Sequence, residues 1–332
     1  MIVNYFQIKS PLFSINMLFE VIKTNLQNKI ICKSNYLIFD GRSVAGRFRA
    51  IFLSAKKSGE DINHVVGDFN YSTYFMKKNK TILTIHDLYR INAKGTGWIR
   101  RNLFRVFWLQ IPIWRSQFIT TGSHWVKYDI LKNSFCNENK IRVIYDCVSD
   151  KFYQNNKVFN KKKPILLQVG TRKNKNIIRL AEAIHGIHCR LEIIGQPDDE
   201  TIKYLEFYGI DYGYKSGLTL SEVINKYNEC DVVVFISTHE GFGLPIVEAN
   251  MVGRVVVTSN VTSMPEVAGN SACLIDPFDI KSIRNGIIRV IEDDLYRENL
   301  IHLGKINSKR FHAKKIAYDY IDLYNEVLEL NS

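Results

Sequence analysis

The sequence predicts an α/β protein of two consecutive doubly wound domains, and three observations carry that expectation. Continuous apolar runs such as Pro164-Ile-Leu-Leu-Gln-Val-Gly170 and Asp231-Val-Val-Val-Phe-Ile236 have the composition of parallel strands buried on both faces. Such runs alternate with helical segments, the pattern of βαβ units. The length of 332 residues exceeds one ordinary core and suits two domains. Hydrophobic residues at 46% and charged residues at 23% are ordinary for a globular chain and exclude a disordered one. No apolar stretch approaches the roughly 18 residues a spanning helix needs.

In the first half, strands are expected at Ile2–Phe6, Tyr36–Phe39, His64–Val66, Thr81–Ile85 and Phe118–Thr121, with helices near Ser14–Asn25 and Gly97–Gln110. Asn155-Asn156 and Lys161-Lys162-Lys163 mark a polar linker across Asp150–Lys163, so the domains are expected at 1–155 and 156–312. In the second half, strands are expected at Pro164–Gly170, Arg190–Gly195, Asp231–Ile236, Arg254–Thr258 and Ala272–Ile275. Helices are expected at Asn176–His185, Asp199–Tyr208, Ser221–Asn228 and Leu244–Met251, with a turn and short helix around Met264-Pro-Glu-Val267. Helical segments follow at Ile280–Glu292 and Leu295–Ser308. The last segment, 313–332, carries Ile316, Tyr320, Leu323, Val327 and Leu330 at spacings of three and four, a stripe suited to packing on a domain face, the first domain's included.

The net charge of +12 is uneven: residues 1–155 hold 23 Lys/Arg against 10 Asp/Glu, and residues 156–332 hold 22 against 23. A basic first half suggests an anionic partner: nucleic acid, anionic lipid or a phosphorylated substrate. The segment 97–115 interleaves Arg100, Arg101, Arg105 and Arg115 with Trp98, Phe104, Phe107 and Trp108, as a membrane-surface helix or a sheet-packing helix with a basic face would. Six scattered cysteines without a C-x-x-C pair suit a reduced cytosolic protein. Met1–Phe6 lacks a charged n-region, so no signal peptide is expected. The expected location is cytoplasmic, peripheral on the inner face of the membrane.

The chemistry concentrates after two strands of the second half. His239-Glu240-Gly241-Phe242-Gly243-Leu244-Pro245-Ile246-Val247-Glu248 follows a strand directly, where ligands of open α/β sheets sit. Gly241 and Gly243 allow close backbone approach, and Pro245 suits a first helical turn whose amides can hold an anion. Glu240 and Glu248 can reach different hydroxyls of one extended ligand, with the amides of Phe242, Gly243 and Leu244 between them. Gly170-Thr171-Arg172-Lys173-Asn174-Lys175-Asn176 places three cations at a helix entry, suited to phosphate. The acidic runs Asp198–Glu200 and Glu292–Asp294 read as solvated helix ends.

Glu240-x7-Glu248 with Gly-Phe-Gly-Leu-Pro between, Val257-Thr-Ser-Asn260, Met264-Pro-Glu-Val-Ala-Gly269 and Asp276-Pro277 resemble the retaining glycosyltransferases of the GT-B fold known as family 4. The match covers residues 141–290 well. Lys140-Ile-Arg-Val-Ile-Tyr145, Tyr227 and Asp231 stand in the expected order, and the first half matches at Thr84-Ile-His-Asp-Leu88 and Thr121-Gly-Ser123. The resemblance implies two Rossmann-like domains facing a cleft, and a nucleoside-diphosphate sugar bound by the second. Glu248 would hold the ribose, and Glu240 the donor sugar near its reacting carbon. Gly241 and the amides of 242–244 would hold sugar and β-phosphate. Arg172 and Lys175, with Gly170, Thr171 and Lys173 around them, would neutralise the leaving diphosphate. His86 would contact the transferred sugar or the acceptor. No D-x-D motif is present, so neither metal nor cofactor is expected.

The usual Gly-Gly loop after the first strand is replaced by Gln7-Ile-Lys-Ser-Pro11, and Asp40-Gly-Arg-Ser-Val-Ala-Gly46 could partly substitute. The resulting expectation is a hexose transferred to a glycan or lipid-linked acceptor in surface polysaccharide assembly, without nucleic acid as partner. The alternatives are a GT-B sugar-nucleotide epimerase, or a non-catalytic protein that binds sugar nucleotide or nucleic acid.

Overall fold

The computed structural model describes residues 1–8, 13–26, 29–37, 44–59, 61–92, 97–154 and 156–331. The chain divides into two compact units: residues 1–147 together with 313–332, and residues 148–312.

The first unit runs β1 (Ile2–Ile8), α1 (Phe13–Leu26), β2 (Ile31–Leu37), α2 (Val44–Lys57), β3 (Ile62–Val65), β4 (Thr81–Thr84), α3 (Tyr89–Asn92), α4 (Trp98–Phe104), α5 (Ile111–Trp114), β5 (Phe118–Thr121), α6 (His124–Asn133) and β6 (Ile141–Val143). Its sheet has the order β2-β1-β3-β4-β5-β6, with every pair parallel. The second unit runs β7 (Ile165–Val169), α7 (Ile177–Ile184), β8 (Arg190–Ile194), α8 (Asp199–Phe207), β9 (Tyr212–Lys215), α9 (Leu220–Glu229), β10 (Val232–Phe235), α10 (Leu244–Val252), β11 (Val255–Ser259), α11 (Met264–Ala268), β12 (Ala272–Ile275), α12 (Ile280–Glu292) and α13 (Asp294–Ser308). Its all-parallel order β12-β11-β10-β7-β8-β9 reverses direction between β7 and β10, the switch point at which such sheets open a crevice.

The last helix, α14 (Ala313–Glu329), packs in the first unit. Ile316, Ala317, Tyr320, Leu323, Tyr324 and Val327 are buried against the α1 side of the sheet, where Phe19, Ile22 and Leu26 lie. A buried polar chain fastens it. The Tyr324 hydroxyl lies 2.7 Å from that of Tyr5 and 2.8 Å from His64 Nδ1. His64 Nε2 lies 2.8 Å from Thr84 Oγ1, which lies 2.6 Å from Thr120 Oγ1. Burial, with a smaller effect of His86, holds the His64 pKa down at about 3, so the ring is neutral at ordinary pH.

Several elements differ from expectation. Strand β2 begins at Ile31 rather than near Tyr36. It is an edge strand largely facing solvent, and Lys33, Ser34 and Asn35 interrupt its apolar residues, so its sequence carries no apolar run. Strand β9, Tyr-Gly-Tyr-Lys, and the three-residue β6 escaped notice because both are short edges. Helix α2 was not expected, nor α6, although Ser123 caps α6 by accepting from the Val126 amide at 3.2 Å. The two acidic runs are exposed helix ends, as expected, and they also supply caps: Asp198 accepts from Thr201 N, and Asp293 from Tyr296 N, each at 2.9 Å. Of the Gln7–Pro11 loop, residues 9–11 lie outside the described residues, as do residues 40–43 of its foreseen substitute Asp40–Gly46, whose last three residues open α2.

The 97–115 segment has two faces. Between α4 and α5 the backbone makes a π turn over Arg105–Gln110. Pro112 cannot donate to the Trp108 carbonyl four residues back, and Asn70 Nδ2 donates to that carbonyl instead at 3.1 Å. Trp108, Leu109 and Ile113 are buried, whereas Trp98, Ile99, Leu103, Phe107 and Trp114 are exposed. Among the described residues, no helix is long and apolar enough to cross a membrane.

Candidate functional site

The site of the second unit is built where β7 and β10 end side by side. After β7, Gly170 turns the chain with φ +84°, and a Cβ there would stand 3.0 Å from Lys175 Cε. Glycine thus lets the loop fold Lys175 back over the strand ends. Its ammonium lies 4.5 Å from the Phe235 ring centroid and 2.7 Å from Glu240 Oε1. Both side chains of that ion pair are largely buried. Asn174 Nδ2 donates to the same Glu240 oxygen at 3.0 Å and to the His239 carbonyl at 2.9 Å. Asn176, in the left-handed region at φ +63°, is pinned by its amide to the carbonyls of Ile236 and Pro277. These asparagines, absent from the sequence-based set of site residues, join the two loops. The Lys173-Asn-Lys-Asn176 run could have signalled them, because Asn tolerates positive φ and reaches backbone groups.

After β10 the loop is held from below. Ser263 Oγ donates to the carbonyls of Glu240 at 3.0 Å and Phe242 at 2.7 Å. Gly243, at φ +112°, enters α10 with Pro245 in its first turn. Among the described residues nothing accepts from the Gly243 and Leu244 amides, so both remain open to an anion at the positive end of the helix. One turn on, Glu248 accepts from the buried Tyr227 hydroxyl of α9. Burial pushes the Glu248 carboxyl up to about 7, tempered by that hydrogen bond and by Lys175. A carboxylate held at this cost with Lys175 near is suited to hydroxyl donors of a ligand.

The structure thus brings Gly170, Lys175, Glu240, Gly241, Phe242, Gly243, Leu244 and Glu248 to one sheet edge. Thr171 is half-buried beside Gly195, while Arg172 and Lys173 are exposed. Lys173 lies 3.6 Å from Glu200 rather than pairing with Glu240, and no described residue pairs with the Arg172 side chain. His86 belongs to the first unit, following β4. Its Nε2 lies 3.0 Å from the Val66 carbonyl, and its ring lies 6.1 Å from that of Phe19.

The profile of Glycosyl transferases group 1 matches residues 149–306. The chain is 31% identical over 134 residues to the serotype-specific mannosyltransferase WbdA of Escherichia coli, a stretch covering 40% of this chain and 16% of that protein. The chain therefore spans about a sixth of the length of that relative. Its fold is similar to that of Anabaena Alr3699/HepE in complex with UDP and glucose, with TM-score 0.77 and 13% identity over 98% of this chain and all of that one. It is also similar to WaaG, a glycosyltransferase involved in lipopolysaccharide biosynthesis, with TM-score 0.75 and 14% identity over 98% and 99% of the two chains. The two all-parallel six-stranded sheets are those of the GT-B fold. The second unit thus carries the stretch that matches the group 1 glycosyl transferases, and its paired glutamates and Lys175 stand at the switch point of its sheet.

Proposed function

We propose that this chain transfers a hexose from a nucleoside-diphosphate sugar to a glycan acceptor, with retention of configuration and without a metal, in the assembly of a surface polysaccharide. The observation that carries the reading is the Lys175–Glu240 pair set between the β7 and β10 loops, beside the open amides of α10. In this reading Glu248 holds the ribose hydroxyls, and Glu240 faces the donor sugar. The Gly243 and Leu244 amides meet the diphosphate. The bond between the sugar carbon and the phosphate oxygen breaks as the acceptor oxygen adds on the same face. The acceptor proton passes to the departing phosphate oxygen. Lys175 and the exposed Arg172 stabilise the charge that develops there, commonly the largest catalytic contribution. WbdA is a mannosyltransferase and HepE was captured with UDP and glucose, which supports a nucleotide-linked hexose as donor.

A lipid-linked acceptor fits the first unit. The exposed Trp98, Ile99, Leu103, Phe107 and Trp114 share a segment with the exposed Arg100 and Arg101, the composition of a surface that rests on an anionic membrane.

A calorimetric and thermal-shift panel of UDP, GDP, ADP and CMP tests the donor reading, since a ligand at 100 Kd raises stability by about 2.7 kcal/mol. One nucleoside diphosphate is expected to stabilise the protein. Its sugar conjugate is expected to be turned over when a glycan acceptor is added. Nucleotide binding without turnover of any conjugate would favour a binding protein, and turnover to an isomeric donor without acceptor would favour an epimerase.

A further inference from the structure

Glu248 stands on a buried phenol. The Tyr227 hydroxyl donates to Glu248 Oε2, and the whole Tyr227 side chain is buried. Glu248 itself is half-buried, and among the described residues nothing donates to its Oε1. One carboxylate oxygen is thus committed to the protein, and the other is left open. Tyr227 is fixed in turn. Its ring meets that of Phe152 edge-on, with centroids 5.6 Å apart and an interplanar angle of 82°. Helix α9 starts in a capping box, with Thr219 accepting from the Glu222 amide and Glu222 from the Thr219 amide. Just past Tyr227, Arg254 Nη2 donates to the Asn228 carbonyl at 2.7 Å. The helix is therefore tied at both ends, which sets the position of the phenol. Phenylalanine would fill the same space without a buried hydroxyl to satisfy, so packing alone does not account for tyrosine here.

Helices α9, α11 and α13 and strands β10 and β11 pack on α10, which has no titratable residue besides Glu248. Among the described residues, the titratable and charged groups that act on Glu248 are Tyr227 from α9 and Lys175 from the loop after β7. Burial raises the carboxyl to about 7, and both neighbours draw it back. Lys175 is shared with Glu240, so the Tyr227 hydroxyl is the contact reserved for Glu248. We infer that Tyr227 is a positioning residue: its hydroxyl locks one Glu248 oxygen and thereby presents the other as a fixed, charged acceptor to a hydroxyl of the bound nucleotide. The bond favours the ionised carboxylate over the protonated one. Removing it leaves more of Glu248 protonated at neutral pH and its rotamer unpinned. This inference rests on the donor reading of the second unit and adds to it a residue that acts only through Glu248.

Calorimetry of the intact chain with UDP, GDP, ADP and CMP at pH 7.5 and pH 9 tests it. At pH 7.5, Tyr227→Phe should hold the nucleotide that binds about tenfold more weakly than the parent. Raising the pH to 9 should shrink that loss at least twofold, because it restores the charge on Glu248, whereas a purely structural loss would not respond. Titration of the nucleotide's own phosphate cancels in the ratio of parent to variant. In a Glu248→Ala background, Tyr227→Phe should change affinity less than threefold. A loss under threefold at pH 7.5, a loss that does not shrink by pH 9, or an equal loss in the Glu248→Ala background overturns the inference. Far-UV circular dichroism checks that the variant folds. If it does not, 3-fluorotyrosine in place of Tyr227 decides. It is a stronger donor of nearly the same size and should tighten binding at pH 6.5, and unchanged or weaker binding there overturns the inference. Should none of the four nucleotides bind the unsubstituted protein, the donor reading falls and this inference with it, whereas failure of the inference alone leaves nucleotide binding in place.

Discussion

Glu248→Gln separates the cost of the donor site from its use. The folded second unit raises the Glu248 carboxyl from 4.5 to about 7, chiefly by burial. A tenfold change in proton affinity corresponds to about 1.4 kcal/mol, so ionised Glu248 costs the folded unit roughly 3 kcal/mol above pH 7. The sign follows from proton binding. Between the unfolded and folded values the native state holds more protons than the unfolded one, so stability falls as pH rises through that window. Below about pH 4.5 the penalty is absent, and above about pH 7 it is complete. Glutamine keeps the shape and the Tyr227 hydrogen bond and removes the charge. The variant should therefore be more stable than the parent at pH 8.5, by up to roughly 3 kcal/mol, and indistinguishable from it near pH 4.5. All four tryptophans lie in the first unit. Urea unfolding followed by both tryptophan fluorescence and far-UV circular dichroism thus resolves the second unit as the transition seen only by dichroism. The same substitution should weaken nucleotide binding by about 1–3 kcal/mol, the range for losing a charged hydrogen-bond partner. Equal or lower stability at pH 8.5 would refute the desolvation argument. Gained stability with unchanged nucleotide affinity would take Glu248 off the ribose.

Four further outcomes are expected. Lys175→Ala should lower turnover by roughly 10²–10³, the effect of removing one oxyanion-stabilising donor, and a loss within threefold in steady-state assays would remove Lys175 from the leaving group. Dialysis against EDTA should leave turnover within twofold, whereas loss restored by Mn²⁺ would contradict a metal-free reaction. Tyr324→Phe leaves His64 Nδ1 and the Tyr5 hydroxyl without their shared partner, so the fluorescence-detected transition should weaken by about 1–3 kcal/mol. An unchanged midpoint would show that the α14 network adds nothing net. Anionic liposomes should pellet the protein and release it at high salt, and Arg100→Glu with Arg101→Glu should abolish pelleting. Equal pelleting on neutral liposomes would remove the electrostatic part of the membrane reading.

The second unit of this protein was legible in its sequence because local rules coincide there. Doubly buried parallel strands are written as continuous apolar runs, and the ligand loops follow them directly. Glycine at 170 and 243 stands where the backbone takes positive φ, and the E-x7-E spacing sets one carboxylate in the loop and the other one turn into α10. Edge strands escape this reading because a solvent-facing strand has no apolar signature: β2, β6 and β9 all lie at or beside water. Helix α14 announces an apolar stripe, but only the fold shows what it covers. Its hydroxyl at Tyr324 meets His64 across 260 residues of chain, and residues that far apart carry no mutual pattern. The basic cluster 172–175 reads as one phosphate loop, and only the tertiary structure separates Lys175, turned inward onto Glu240, from Arg172 and Lys173 in solvent. Segment 97–115 likewise admitted a core or a surface reading, and the fold divides it between the two, with Trp108, Leu109 and Ile113 buried and Trp98, Phe107 and Trp114 exposed. Composition and periodicity determine which residues must be buried and where loops fall. Which buried polar atoms find partners depends on distances between strands remote in sequence. That three-dimensional property leaves the Gln7 amide unpaired among the described residues.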